Sequence, residues 1–209
     1  MVHMIRALDV QKPPAIAEIT PDELADTMER VLAGELPGFV VSAAVPDAFN
    51  QSIDIATDMG LDGGINNTTM TFNYDTSVAG LAAARAEGRI PGPEEWEDFG
   101  ITSLHADGEE GDEMLSISRA LRGAYIINVL KRGPATQDDM PIELWDTLQV
   151  ENTRLLLDGM VDTDNLSPVM TSLDIEAGDT VIFNPSNPHM GITTKAPRRA
   201  ETTFYFRGR

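Results

Sequence analysis

The spacing of apolar residues predicts two helices in the first third of the chain. In "ITPDELADTMERVLAGELPGF" the apolar residues recur every three to four positions. Thr20 and Glu23 have the spacing of a capping box, Pro21 suits the first helical position, and Gly34 suits the end. "GFVVSAA" then predicts a short buried strand, and "PDAFNQSIDIATDMG" predicts a second helix that begins at its proline and ends at its last glycine.

A different pattern, short alternating or apolar segments separated by Gly, Pro and Asp, dominates from about residue 100. One earlier segment, "INNTTMTFNYD", also alternates and predicts a strand, and "SVAGLAAARAEG" predicts a short helix. The later predicted strands are "ITSLHAD", "LSISRALR", "AYIINVLKRG", "TLQVENTRLLLDG", "VMTSLDIEAGD", "TVIFNPS", "HMGITT" and "RAETTFYFRG". Regular short strands of this kind are typical of an all-β sandwich or barrel.

The length of the chain, 209 residues, fits one domain that can bury a sizeable core. No linker separates two folding units. We therefore expect a mainly β protein with flanking helices, in which a helical or mixed part (about 1–98) packs on a β-domain (about 99–209).

Charge and composition exclude several classes of partner. The formal net charge of −19 repels phosphate backbones and argues against nucleic-acid binding, although it could attract a cationic substrate. No apolar stretch approaches the roughly 20 residues of a membrane helix. The N-terminal residues show no apolar core of a secretory signal, so we expect a cytoplasmic protein. The absence of cysteine excludes disulfides and thiolate metal sites.

Two of the three histidines lie in patterns that suggest a metal site. His105 and Asp107 are two residues apart at the end of a predicted strand, so both side chains can point to the same side. His189 opens a later predicted strand and could supply a third ligand. Two imidazoles and one carboxylate on one face leave coordination positions open, as in the facial triad of non-haem Fe(II) oxygenases.

An arginine follows His189 at the start of the last predicted strand. A dicarboxylate that chelates a metal through its 2-oxo-acid end needs a fixed cation for its far carboxylate, and a guanidinium binds that group bidentately. Alternation places Arg198 on one face with Ala200, Thr202 and Phe204, a set that suits a pocket lining. The opposite set, Arg199, Glu201, Thr203 and Tyr205, suits a solvent face, although Tyr205 fits it poorly. We therefore favour Arg198 over Arg199.

Together, "HAD" (105–107), "GDTVIFNPSNPH" (178–189) and the arginine at 198 resemble the Fe(II)/2-oxoglutarate-dependent dioxygenase superfamily, which carries an H-x-D…H…R motif. The resemblance covers about the last half of the chain. It implies a double-stranded β-helix, also called a jelly roll and similar to the cupin fold. It also implies that His105, Asp107 and His189 bind Fe(II), and that Arg198 holds the distal carboxylate of 2-oxoglutarate.

Members of that superfamily usually add a hydroxyl or amide donor to the same carboxylate, and Tyr125, Asn128 and Thr202 are the candidates here. Halogenating members carry a small residue in place of the aspartate, so Asp107 favours hydroxylation or a related oxidation such as desaturation. The resemblance thus implies a hydroxylase that uses O₂ and converts 2-oxoglutarate to succinate. We expect its substrate to be a small molecule, such as an amino acid, or a peptidyl side chain.

Two alternatives remain open at this point. A cupin-type metalloenzyme would not use 2-oxoglutarate, but cupins typically show H-x-H followed by a glutamate, and this chain has no H-x-H. A non-catalytic jelly-roll binding protein would use His105 and His189 as structural residues. Metal binding and turnover of 2-oxoglutarate distinguish the three.

Overall fold

The computed structural model describes residues 6–7, 9–72, 86–88, 107, 113–130, 160–161, 169–187 and 189–207. These residues form two helices and nine strands of a mainly antiparallel β protein. The helices are α1 (Pro21–Leu32) and α2 (Ala48–Asp58). The strands are β1 (Arg6–Ala7), β2 (Asp9–Gln11), β3 (Gly38–Val41), β4 (Asp62–Phe72), β5 (Met114–Leu130), β6 (Met160–Val161), β7 (Val169–Ile175), β8 (Thr180–Phe183) and β9 (His189–Phe206).

Helix α1 is confirmed with the predicted capping box. The Thr20 hydroxyl accepts from the Glu23 backbone N–H at 3.3 Å, and the Thr20 backbone N–H donates to the Glu23 carboxylate at 2.9 Å. The backbone and hydroxyl donors of Thr20 lower the pKa of Glu23. Helix α2 begins two residues later than predicted, after Asp47, whose backbone is left-handed with φ 57°. The start of α1 is therefore determined by local sequence, whereas the cap residue of α2 makes no side-chain capping hydrogen bond.

Seven of the strands form one sheet, in which β5 and β9 are the central pair. The path β2-β7-β5-β8-β3 runs through β5, and β9 pairs with both β4 and β5. The N-terminal and C-terminal parts share this sheet, because β3 pairs with β8 and β4 pairs with β9. All of these pairings are antiparallel except that of β2 with β7.

The prediction of separate strands on either side of Gly123, and again on either side of Pro197, is wrong. β5 continues through Gly123, which has φ 80° and lies where the β5–β9 register shifts. Before this irregularity β5 lies beside β8, and after it beside β7. Pro197 falls in the same irregular stretch of the pairing, where a missing backbone donor is tolerated. A bulge in a continuous strand contains the same residue types as a turn, glycine and proline, so the sequence alone does not distinguish a bulge from a turn.

The sheet buries both faces. On the helical face, Leu115, Ile117 and Tyr205 pack in one core cluster with residues of α1 and α2. On the other face, here called the inner face, a second cluster contains Tyr125, Leu173, Phe183 and Ala200 among others. The predicted solvent face of the last strand is therefore wrong beyond its first residues. Arg199 is exposed, but Thr203 and Tyr205 are buried, and Tyr205 packs with residues of the two helices.

Several predicted elements lie outside the described residues. These include most of "ITSLHAD", the segment "TLQVENTRLLLDG" and most of the predicted helix "SVAGLAAARAEG". The strands predicted at "VMTSLDIEAGD", "TVIFNPS" and "INNTTMTFNYD" are confirmed as β7, β8 and β4, although β7 and β8 end earlier than predicted and β4 begins earlier. In the part of the chain that the structure describes, neither helix has the length and apolar character required to cross a bilayer.

Candidate metal centre

His189 is the first residue of β9 and points to the inner face of the sheet. It is only 6% exposed, and its ring meets the Phe183 ring edge-on, with centroids 4.9 Å apart. Nδ1 of His189 lies 2.9 Å from the backbone carbonyl oxygen of Asn187. A carbonyl oxygen can only accept, so Nδ1 carries a hydrogen and donates it. In the neutral imidazole this leaves the lone pair on Nε2.

The Nε2 atom of His189 faces the carboxylate of Asp107. The distance from Nε2 to Oδ2 of Asp107 is 3.9 Å. The Asp107 side chain is 40% exposed, but its backbone N–H donates to the Pro185 carbonyl at 2.8 Å, which attaches it to the β8–β9 loop. The structure thus brings together two of the three predicted metal ligands from distant parts of the chain.

The spacing of these two atoms fits a shared metal ion. Nitrogen and oxygen ligands lie about 2.0–2.2 Å from a divalent transition metal, so two ligands of one ion are about 3 Å apart at a right angle and at most about 4.2 Å apart in line. The observed 3.9 Å lies between these values, so a facial arrangement requires the 40% exposed Asp107 side chain to move closer to Nε2 of His189. A histidine whose second nitrogen donates to a carbonyl also has the orientation common among metal-binding imidazoles.

The third predicted ligand, His105, lies outside the described residues. Within the described ranges no group of three His, Asp or Glu side chains gathers as a metal site. Asp107 and His189 are therefore only part of the predicted site, and the roles of all three residues as metal ligands stay predictions.

Arg198 is buried on the inner face, whereas Arg199 is exposed. Arg198 is 7% exposed, and its guanidinium carbon lies 3.7 Å from the centroid of the Tyr125 ring. Burial lowers the pKa of Arg198, and the neighbouring Tyr125 raises it in part. For Tyr125 the directions are reversed, because burial raises its pKa and the positive charge of Arg198 lowers it in part. A buried guanidinium beside a neutral phenol is a strongly anion-attracting pair.

Of the three candidate donors, the structure brings only Tyr125 to Arg198. Its hydroxyl is buried, and the neighbouring Arg198 lowers its pKa in part. Asn128 accepts from the Ser172 hydroxyl, and it alternates with Ile127 and Val129 of the inner-face cluster, so it points away from that face. Thr202 shares the face of Arg198, but its hydroxyl is hydrogen-bonded to that of Ser118 at 2.8 Å.

Thr171 is an inner-face residue that the sequence did not single out. It pairs with Val129, which pairs on its other side with His189, so the three side chains form one row across the sheet. Thr171 is 2% exposed, and its hydroxyl has no hydrogen-bond partner among the described residues. A buried unpaired hydroxyl costs about 1–3 kcal/mol, which suggests a ligand-facing position. No local motif could have identified it, because its neighbours come from other strands.

No protein-family model matches the chain, and no curated protein matches it either. Similar solved structures include proteins named as dioxygenases. An N-substituted L-amino acid dioxygenase from Burkholderia ambifaria AMMD in complex with alpha-KG is 11% identical, with a TM-score of 0.44, over 89% of this chain and 88% of that one.

Two further similar structures share this level of likeness. A taurine dioxygenase from Burkholderia xenovorans is 10% identical, with a TM-score of 0.41, over 99% of this chain and 89% of that one. HygX from Streptomyces hygroscopicus, with nickel and 2-oxoglutarate bound, is 12% identical, with a TM-score of 0.38, over 92% and 88%. Likenesses this distant carry no conclusion about activity, which must rest on the residues of this chain.

Proposed function

We propose that the protein is an Fe(II)- and 2-oxoglutarate-dependent oxygenase with a double-stranded β-helix fold. Its reaction is the hydroxylation of a small molecule, such as an amino acid, or of a peptidyl side chain. In that reaction, 2-oxoglutarate loses CO₂ and becomes succinate, one oxygen atom of O₂ enters succinate, and the other enters the product. This assignment agrees with the resemblance of "HAD", "GDTVIFNPSNPH" and Arg198 to that superfamily.

The observation that carries the proposal is the geometry of His189 and Asp107. An imidazole whose Nδ1 donates to a carbonyl directs its Nε2 lone pair at a carboxylate 3.9 Å away. Histidine and aspartate are the ligand types that suit Fe(II), and the absence of cysteine excludes a thiolate site. In the proposal, His105 completes the set and leaves open positions on the metal.

The inner face provides the second requirement, a fixed cation at a distance from the metal. Tyr125 is four residues from Val129, which pairs with His189, so it lies about 13 Å along the strand. Arg198 packs on the Tyr125 ring. We propose that this pair binds the distal carboxylate of 2-oxoglutarate, with Arg198 supplying the charge and the Tyr125 hydroxyl a further donor. Thr171, in the row of His189, is placed to donate to a ligand nearer the metal.

Iron, when bound at Asp107 and His189, supplies the redox chemistry that activates O₂. The described residues do the rest. Asp107 and His189 hold the metal, Arg198 and Tyr125 orient the co-substrate, and the apolar inner face keeps water from the reacting groups. The carboxylate of Asp107 occupies the position that halogenating members leave vacant, which favours hydroxylation. The net charge of −19 favours cationic substrates.

The test is succinate formation from 2-oxoglutarate by the purified protein with Fe(II) and O₂, across a panel of amino acids, amines and short peptides. We expect succinate in stoichiometric amount with an oxidised product for at least one member. Oxidation of a panel member without any need for 2-oxoglutarate would instead indicate a cupin-type enzyme. A protein with neither turnover nor Fe(II) binding would be a jelly-roll binding protein, and the oxygenase assignment would then be wrong.

A further inference from the structure

The described part of the loop that connects β8 to β9, Asn184–Asn187, is buried at all four of its residues. Asn184, Ser186 and Asn187 are 5%, 2% and 6% exposed. Loops usually run over the surface because their backbone polar groups need partners. A buried loop with three polar side chains therefore depends on internal hydrogen bonds to hold one conformation.

The side chain of Asn184 organises those hydrogen bonds. Its Oδ1 accepts from the Ser186 backbone N–H at 2.9 Å and from the Ser186 hydroxyl at 2.7 Å. Its backbone carbonyl accepts from the Asn187 N–H at 3.2 Å. Asparagine is suited to this position because its side-chain oxygen can replace a backbone acceptor in a turn.

The turn presents two backbone carbonyls to the candidate metal centre. The Pro185 carbonyl accepts from the Asp107 backbone N–H at 2.8 Å. The Asn187 carbonyl accepts from Nδ1 of His189 at 2.9 Å. The conformation of this single loop therefore sets both the position of Asp107 and the orientation and tautomer of His189.

We propose that Asn184 is a positioning residue for the metal centre, acting through this loop on both Asp107 and His189 at once. The proposal rests on the proposed function, and it extends it to a residue that would contact neither metal nor substrate. Its physical basis is that a metal-binding imidazole needs a fixed acceptor on its other nitrogen, and that a ligand pair needs a fixed spacing. Asn184 supplies both through one side-chain oxygen.

Four variants separate positioning from general stability. Asn184→Ala removes the side-chain acceptor, whereas Asn184→Asp keeps an oxygen that can accept both Ser186 donors. Ser186→Ala removes one of those donors. Its matched control is Ser172→Ala, because Ser172 is also buried and also donates its hydroxyl to an asparagine Oδ1, that of Asn128, away from the metal centre.

The first measurement is the affinity of the metal-free protein for Co(II) alone, followed by its visible absorption. We expect Asn184→Ala to weaken Co(II) binding roughly 10- to 100-fold, the usual effect of losing an outer-shell partner, and to change the Co(II) spectrum. Asn184→Asp should restore binding to within about threefold of the wild type. Ser186→Ala should weaken binding a few-fold, while Ser172→Ala should lose similar stability with no change in affinity.

The second measurement needs no metal. Nitrogen NMR of the metal-free protein reports which nitrogen of His189 carries the hydrogen, and the chain has only three histidines to assign. We expect hydrogen on Nδ1 in the wild type and Asn184→Asp, and a mixture of tautomers in Asn184→Ala.

The outcomes keep the two proposals apart. If the wild type binds no divalent metal, the proposed function fails, while the His189 tautomer still decides the role of the loop. If Asn184→Ala keeps both the tautomer and the Co(II) affinity of the wild type, the positioning role is overturned. It is equally overturned if Ser172→Ala loses as much affinity as Ser186→Ala, because the effect would then follow stability alone.

Discussion

The helical face and the inner face of the same two strands, β5 and β9, hold their arginines differently. On the helical face, Nη2 of Arg119 lies 2.7 Å from Oε2 of Glu201, and the guanidinium carbon lies 4.7 Å from the Phe49 ring centroid. The Arg119 side chain is 37% exposed. On the inner face, Arg198 is buried against Tyr125, and the pKa values of both groups are shifted by that burial.

This difference indicates what each face is for. A half-exposed ion pair between neighbouring strands stabilises the sheet modestly. A buried hydroxyl that has no hydrogen-bond partner among the described residues, such as that of Thr171, costs free energy in the ligand-free protein. Such costs concentrate at sites that bind something, and His189 lies on the same face.

The largest expected effect is the loss of a metal ligand from the inner face. His189→Ala should abolish measurable Fe(II) binding and succinate formation, because no other described side chain takes its place opposite Asp107. Arg119→Ala, a change on the helical face, should leave both intact. Isothermal titration calorimetry under anaerobic conditions measures Fe(II) binding by both variants. An equal loss of Fe(II) binding in the two variants would contradict the assignment of the metal site to the inner face.

The next effect concerns the two adjacent arginines of β9. Arg198→Ala should raise the 2-oxoglutarate concentration needed for half-maximal turnover about 30-fold or more, the ratio that corresponds to about 2 kcal/mol for losing a buried charged partner. Arg199→Ala should change it less than about twofold, because Arg199 is exposed. Steady-state kinetics with varied 2-oxoglutarate measure this concentration for both variants. A larger increase for Arg199→Ala than for Arg198→Ala would indicate that 2-oxoglutarate does not bind at the inner face.

A smaller effect distinguishes the hydroxyl of Thr202, which has a hydrogen-bond partner, from that of Thr171, which has none among the described residues. Thr202→Val should lower the free energy of unfolding by about 1–3 kcal/mol, because it leaves the buried Ser118 hydroxyl without its partner. Thr171→Val should be nearly neutral or slightly stabilising without ligand, since no described partner is lost. Urea unfolding checks this contrast. A cost for Thr171→Val as large as that for Thr202→Val would argue that Thr171 is structural.

The smallest effect is the coupling across the helical face. A double-mutant cycle with Arg119→Met and Glu201→Gln should give a coupling free energy of about 0.5–1 kcal/mol, which decreases with added salt. None of these variants should alter the 2-oxoglutarate requirement. A coupling that is accompanied by changed turnover would mean that the two faces are not independent.

Local patterns in the sequence determined the elements whose signals are complete within a short segment. The capping box at Thr20 and Glu23 and the apolar spacing after it define α1, because helix hydrogen bonds and caps join residues three to four apart. The apolar run "TVIF" similarly defines β8. The order of the "HAD", "NPH" and arginine motifs gave the candidate ligands, of which Asp107 and His189 lie together.

Only the tertiary structure decided how these segments combine. Whether Gly123 ends a strand or bends one depends on β7, β8 and β9 lying beside it. Tyr205 is buried by the helices, Asn128 points away from Arg198, and Thr171 joins the row of His189 through pairing across two strands. Alternation tells which residues share a face. What covers that face, and which distant loop fixes Asp107 and His189, follows from contacts between residues far apart in the chain, which no local pattern records.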